Sequence, residues 1–257
     1  MLDRVSSTSS VFAKVQEASE VSAFTRTILN LLDRVEYRFC DSGEDLEAIY
    51  RLRYKSYRAH GLVSDSSEHL IYDKLDEASN CYRFGIFIDG ELASTIRIHH
   101  LSGAEPLSPA MSVFGDMLLP RLRRGDSFID PSRLAADPQL ASAHRGLPYI
   151  SMRLAVAACN YFDATSCLTM VREEHEAFYR RVINAVQIAE PRPYASVNVY
   201  GLLCESNCEA NMEKILARFP FFYSTAFEQR LLFKRPKRGE TAPLTILPTA
   251  KYLLAAA

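Results

Sequence analysis

Three arginines and three acids occupy positions where a globular chain would place apolar residues or a solvated turn. Arg53 follows Leu46 by seven residues and precedes Tyr57 by four. It therefore shares a helical stripe with Leu46, Ile49 and Tyr57 and points inward. A buried guanidinium is costly unless carboxylates meet it, so acidic partners are expected elsewhere; snorkelling at a sheet edge is the plainer alternative. Asp73 and Asp76 lie three apart in an irregular stretch, a pattern that also suits a solvated turn. Arg97 shares a strand face with Ala93, Thr95 and His99 by the period of two. In Ser127-Phe128-Ile129-Asp130-Pro131-Ser132-Arg133, a proline interrupts a strand carrying Asp130, Ser132 and Arg133. A bulge or splayed ladder is the expected consequence, leaving backbone amides free for a ligand. Brought together, these groups could hold both ends of an amino-acid-like molecule, arginine matching a carboxylate and an acid matching an amine. Asp130 is the candidate acid or base, or else it only holds the arginine network.

The elements that must position these residues can be read from periodicity and punctuation. An amphipathic helix is expected over Val21 to Leu32, a strand over Glu36 to Cys40, and a helix from the Asp41-Ser42-Gly43-Glu44-Asp45 cap to about Gly61. Tyr82 to Ile88, Asp89-Gly90 and Leu92 to His100 form a hairpin signal. A helix at Ser112 to Arg123, a strand over Ser127 to Leu134 and a buried helix from Pro148 to Phe162 follow. Thr165 to Val171 reads as a strand, Glu173 to Asn184 as a helix and Gln229 to Lys234 as a late strand. The order predicts an α/β (α+β) fold with a mixed central sheet, a splayed strand pair and flanking helices. The expected organisation is an extension over 1–32, one domain over 33–235 and a tail over 236–257.

Lysine plus arginine number 30 against 31 aspartates and glutamates, a net charge of −1. Nothing in that balance pulls the chain toward nucleic acid or anionic membrane, so attraction to a charged partner must be local. No run of about 18 apolar residues is present to form an integral membrane segment. The start MLDRVSSTSSVF is too polar for a secretory leader, and the expected location is the cytoplasm. Six cysteines without a CxxC pair read as reduced, buried thiols. Cys204 and Cys208 could be metal ligands one helical turn apart, but no second pair has zinc-like spacing, and no metal site is expected.

Arg53 with Tyr57 four later, Asp73 and Asp76, Arg97, and Asp130-x-Ser132-Arg133 form an ordered set. It resembles acyl-homoserine-lactone synthases and, more closely, long-chain N-acyl amino acid synthases of the GNAT superfamily. Glu173 to Arg181 is similar to the FYxR-type helix of GNAT enzymes, and Arg192 to Val199 also resembles the amino acid synthase branch. The resemblance implies a GNAT-like fold, with Arg53, Tyr57, Asp73, Asp76 and Arg97 on the substrate side and Asp130, Ser132 and Arg133 at the reacting centre. The chain departs from lactone synthases in having no tryptophan and in Tyr57 standing for their phenylalanine, which disfavours a lactone product. The alternatives are a lactone synthase, an acetyl-coenzyme A-dependent N-acetyltransferase and a non-catalytic acyl-binding module.

GNAT enzymes that use coenzyme A commonly have a Q/R-x-x-G-x-G/A loop that cradles the pyrophosphate. Here only His144-Arg145-Gly146-Leu147-Pro148 is available, so Arg145 and Gly146 are the candidate donor-binding residues. A single phosphate on an acyl carrier protein fits that loop better than a diphosphate. Arg121, Arg123, Arg124 and Arg145 could receive an acidic carrier helix, or form an ordinary solvated face. The implied co-substrates are a phosphopantetheine-linked acyl thioester and an amino acid, with no tightly bound cofactor. The implied reaction is direct attack without an acyl-enzyme, since Cys159 and Cys167 lack an evident histidine partner.

Overall fold

Asp89 and Gly90 both adopt positive φ, 51° and 82°, the backbone that lets a tight turn follow the twist of its strands. They join β1's neighbour β2 (Cys81–Ile88) to β3 (Glu91–Leu101), with β1 itself at Val35–Phe39. The computed structural model describes residues 22–194, 199–236 and 243–255. Its remaining strands are β4 (Phe128–Ala136), β5 (Ser166–Val171), β6 (Val186–Tyr194) and β7 (Val199–Asn207). The described strands form one sheet in the order β1-β2-β3-β4-β5-β7-β6. Only β4 and β5 pair in parallel.

Helices α1 (Ala23–Leu32), α2 (Gly43–Ala59), α3 (Pro109–Arg123), α4 (Pro138–Ala143) and α5 (Leu147–Phe162) are followed by α6 (Glu173–Ile183), α7 (Cys208–Arg218), α8 (Ala226–Phe233) and α9 (Ala250–Ala255). The period of two along β3 divides the sheet. Ile96 and Ile98 join the main core with Ile150 and Leu154 of α5 and Phe233 of α8. The opposite face carries Thr95, Arg97 and His99, all fully buried, and then Leu101, which packs with Phe114 and Leu118 of α3. Polar residues thus occupy one buried face of a central strand, where apolar ones would be worth roughly 1.5–3 kcal/mol each.

The β4–β5 ladder covers only Phe128↔Ser166 and Ile129↔Cys167. It stops where Asp130-Pro131 begins, because proline has no amide to donate. On the other side, β4 spends Arg133 and Leu134 where β3 spends only Ile96, between the pairs Thr95↔Ala135 and Arg97↔Ser132. Arg133 takes φ 51° at this bulge, an uncommon backbone for a side chain of that size. The strand therefore parts from β5 and turns its polar residues into the opening.

Of Gln229 to Lys234, expected as a strand, Gln229 to Phe233 is helical within α8 and Lys234 follows its end. Thr225 caps it by accepting the Glu228 amide at 3.2 Å. Strands β6 and β7 and helix α7 are additions to the sequence-based order. Cys204 lies on β7 and Cys208 opens α7, so the two do not share a helix. Among the described residues no cluster of His, Cys, Asp or Glu is arranged to hold a metal, and no helix is long and apolar enough to cross a membrane. Of the expected N-terminal extension, residues 1–21 lie outside the described part, while Ile28, Leu31 and Leu32 of α1 enter the core. Of the expected tail, Ile246 is buried and exchanges two 2.9 Å backbone bonds with Tyr37.

Candidate active site

Asp73 and Asp76 sit on a 3-10 turn, Lys74–Glu77, closed by a reciprocal capping box. The Leu75 amide donates to Asp73 at 2.9 Å and the Asp73 amide to Asp76 at 3.0 Å, so backbone geometry aims both carboxylates. The remaining oxygen positions receive arginines. Arg53 Nη1 is 2.8 Å from Asp76 Oδ1. Arg97 Nη1 lies 2.7 Å from Asp73 and 3.0 Å from Asp76, and its Nε donates to Ser132 Oγ at 3.1 Å. Arg133 Nη2 reaches Asp73 Oδ2 at 2.5 Å. Burial works against the Asp73 charge, but Arg97 and Arg133 overcome it and hold the carboxyl well below its ordinary range.

Three guanidinium ions here face two carboxylates, an excess of one positive charge. Arg53 Nε and Nη2, Arg97 Nη2 and Arg133 Nε are buried without a hydrogen-bond partner. His99 adds no charge. Burial and then Arg97 push its pKa down to about 4, and its Nε2 bonds the Leu75 carbonyl at 2.9 Å. A carbonyl only accepts, so Nε2 carries the hydrogen and pins the 3-10 turn to β3.

Asp130 stands apart from this network and makes no ion pair with any of the three arginines. Its Oδ2 accepts the Ala110 amide at 2.8 Å, placing the carboxylate at the N-terminus of α3. Its Oδ1 is buried and unpartnered. Burial pushes its pKa up to about 6, opposed by the Ser108 hydroxyl, the Ala110 amide and Arg97. A carboxylate that is ionised at neutral pH yet basic enough to take a proton is suited to general-base work.

The parting of β4 from β5 opens a cavity of about 600 Å³. Asp130, Ser132, Arg133 and Tyr57 supply its polar lining, with Arg133 5.8 Å from the Tyr57 ring centre. Leu134, Ala136, Ala141 and Met152 form one apolar wall, and Met170, Val171, Val199 and Gly201 another. Gly201 allows this close approach, since a Cβ there would sit 2.9 Å from Met170 Cγ. Tyr179, Tyr194, His60 and His175 also line the space. Burial raises the Tyr179 pKa, which keeps its phenol protonated.

The expected site residues therefore divide. Tyr57, Asp130, Ser132 and Arg133 reach the cavity, whereas Arg53, Asp73, Asp76 and Arg97 stand behind Arg133 and Ser132 and hold them. Arg145 and Gly146 do not line the cavity. Gly146 is buried, and a Cβ on it would collide with Ile28 Cδ1, so packing of α1 accounts for the glycine. Arg121 is not free for a carrier, because Glu205 engages it twice at 2.7 Å and Asp126 once at 2.9 Å. Arg192 braces β6 to α3 through Asp116; residues 195–198 of that stretch lie outside the described part. Contacts with the Cys167 and Cys208 thiols, together with burial, raise the Cys159 thiol pKa, disfavouring a cysteine nucleophile. His60 belonged to no motif in the sequence, whereas His175 and Tyr179 lie in the Glu173–Arg181 stretch similar to the FYxR-type helix and Tyr194 in the Arg192–Val199 stretch, neither of which gave a role to His175 or Tyr194.

A mixed sheet parted between its two parallel strands, with a largely apolar cavity in the gap, is the architecture of a GNAT-like acyltransferase. Residues 48–207 match the sequence model of the N-acyl amino acid synthase FeeM family, and the chain belongs to that family. The solved structure of FeeM, an N-acyl amino acid synthase from uncultured soil microbes, is similar with a TM-score of 0.56 and 20% identity, covering 68% of this chain and 92% of that one. That of TofI, in a ternary complex with an inhibitor and MTA, gives a TM-score of 0.50 and 15% identity, covering 72% and 96%. At these identities the likeness shows the fold. No curated protein sequence matches the chain. Family and fold together make the protein an N-acyltransferase.

Proposed function

We propose that the enzyme transfers a long acyl chain from the phosphopantetheine thioester of an acyl carrier protein to the amine of an amino acid, releasing an N-acyl amino acid. One observation carries this reading. Arg133 and Asp130, three residues apart on a parted strand, bring an excess cation and a basic carboxylate into one largely apolar cavity. The cation suits the acceptor's carboxylate, and Asp130 Oδ1 suits its amine.

In this reading Asp130, directly or through water, takes a proton as the amine nitrogen attacks the thioester carbon. A backbone amide on the unpaired edge of β4 meets the oxyanion. Collapse forms the amide bond and expels the thiolate, which takes the proton that Asp130 received, so the carboxylate is restored for the next turnover. Ser132 holds Arg97, and Arg53 and Asp76 brace the turn that positions Arg133.

The preference for a carrier over coenzyme A rests on the start of α5. The Leu147 amide is bonded to the His144 carbonyl at 2.9 Å, and the Tyr149 and Ile150 amides to the Gly146 carbonyl at 3.0 and 3.1 Å. Pro148 has no amide, so few donors are left to cradle a diphosphate. A carrier donor would place the reaction in the cytoplasm. The test offers purified enzyme one acyl chain on carrier protein and on coenzyme A, with each amino acid and with S-adenosylmethionine, and identifies products by mass spectrometry. An N-acyl amino acid formed faster from the carrier is expected. A lactone that requires S-adenosylmethionine would overturn the acceptor assignment, and equal efficiency from both donors the carrier assignment.

A further inference from the structure

Two histidines line the cavity from different walls, His60 just beyond the end of α2 and His175 in the first turn of α6. Each has one ring nitrogen already committed. His60 Nδ1 lies 2.7 Å from the Ser56 carbonyl. A carbonyl only accepts, so Nδ1 carries the hydrogen and the neutral ring keeps its lone pair on Nε2. His175 Nε2 lies 3.1 Å from Arg172 Nη2. A guanidinium only donates, so Nε2 accepts and Nδ1 carries the hydrogen. The same arginine is 2.6 Å from Glu174 through Nη1, which balances its charge. Partial desolvation and then Arg172 lower the His175 pKa, which favours the neutral ring.

The cavity is thus flanked by an acceptor position, His60 Nε2, and a donor, His175 Nδ1–H. Such a pair complements an amide, whose N–H seeks an acceptor and whose carbonyl seeks a donor. Among the reactants proposed above, the free amino acid and the acyl chain carry no amide, but the pantetheine arm of the donor does. We propose that His60 and His175 bind an amide of that arm and so steer the thioester to Asp130. This inference rests on the reading of the donor as a pantetheine thioester.

The test compares one acyl chain carried as the pantetheine thioester, as the N-acetylcysteamine thioester and on an alkanethiol of matching length without an amide. Two hydrogen bonds of about 1 kcal/mol each predict a KM roughly 5- to 30-fold lower for the wild-type enzyme on the amide-bearing thioesters. His60→Leu and His175→Leu should each raise KM for those thioesters, with kcat unchanged and the amide-free substrate unaffected. Both side chains are exposed, and melting curves on the same samples check that the variants fold. Equal wild-type KM values with and without the amide would overturn the inference. So would a fall in kcat on the amide-free thioester in either variant, which would put the histidines in proton transfer. Wild-type enzyme that makes no product from any of the three or from acyl carrier protein, while making it from an acyl donor that is not a thioester, would overturn the thioester reading itself.

Discussion

The molecule contains two buried clusters of arginine and carboxylate, and they are built to opposite specifications. In one, Arg153 of α5 meets Glu228 of α8, both side chains fully buried. Its Nη2 donates to Glu228 at 2.8 Å and to the Tyr223 carbonyl at 2.6 Å, and its Nε to the Phe221 carbonyl at 2.9 Å. Glu228 in turn accepts the Thr249 amide at 2.9 Å and its hydroxyl at 2.6 Å. Charge is balanced and no Arg153 nitrogen is left over. In the other, Arg53, Arg97 and Arg133 share Asp73 and Asp76, and each arginine keeps an unpartnered buried nitrogen. The first cluster clamps α5, α8 and the residues before α9 together, and none of its members lines the cavity. The second carries its surplus charge to the cavity. A buried ion pair with every proton placed is a structural joint, whereas one left short of an anion awaits a ligand.

That contrast can be broken by substitution. Glu228→Ala should have the largest effect, destabilising the fold by about 3–5 kcal/mol because it strands a buried guanidinium. Turnover per folded molecule should stay unchanged, as read by denaturant unfolding beside kinetics. Arg133→Ala should act the other way, raising the amino-acid KM by roughly 10- to 100-fold through loss of a charge-assisted contact. It should melt less than Glu228→Ala does, because Asp73 keeps Arg97. If Arg133→Ala instead costs stability while leaving the amino-acid KM alone, the surplus cation is not the acceptor site. The smallest effect is expected at Gly146→Ala, where overpacking against Ile28 should cost about 1–3 kcal/mol. The KM for acyl carrier should not move. A selective rise in donor KM would restore Gly146 to the phosphate site.

The charged cluster was legible in the sequence because burial of Arg53 follows from helical spacing alone, and a buried cation demands acids. Its division into cavity-facing and supporting members was not legible, since spacing does not say which guanidinium reaches the surface of the cavity. Asp130 illustrates the same limit. The motif offered base or brace, and spacing could not show that Asp130 meets the Ala110 amide while the three arginines pair elsewhere. The break after Asp130 was readable from Pro131, but the bulge came at Arg133, set by tertiary register with β3. The strand expected over Gln229 to Lys234 shows how a short apolar run misleads, although Thr225-Ala226-Phe227-Glu228 has the form of a helix capping box. Pro191 and Pro193 obscured β6, which tolerates them because it is an edge strand. Gly146 looked like a phosphate loop because a glycine needed for helix contact reads no differently from one needed for a ligand.

Asp130→Asn tests the central claim most directly, with turnover measured against amino-acid concentration and pH and with melting on the same samples. Asn keeps the size and the acceptor for the Ala110 amide but removes the proton site. The predicted result is a kcat lower by roughly 100-fold or more with the amino-acid KM little changed, as for loss of a general base. Wild-type kcat should fall as pH drops through about 6, and that limb should vanish in the variant. The stability sign is fixed as well. The folded pKa lies above the ordinary 3.8, so the contribution of the protonated carboxyl is lost as pH rises from about 4 to 6, and the variant should melt no lower than wild type at neutral pH. Unchanged kcat, or an amino-acid KM that rises while melting falls, would contradict the assignment of Asp130 as the base and return it to the supporting network.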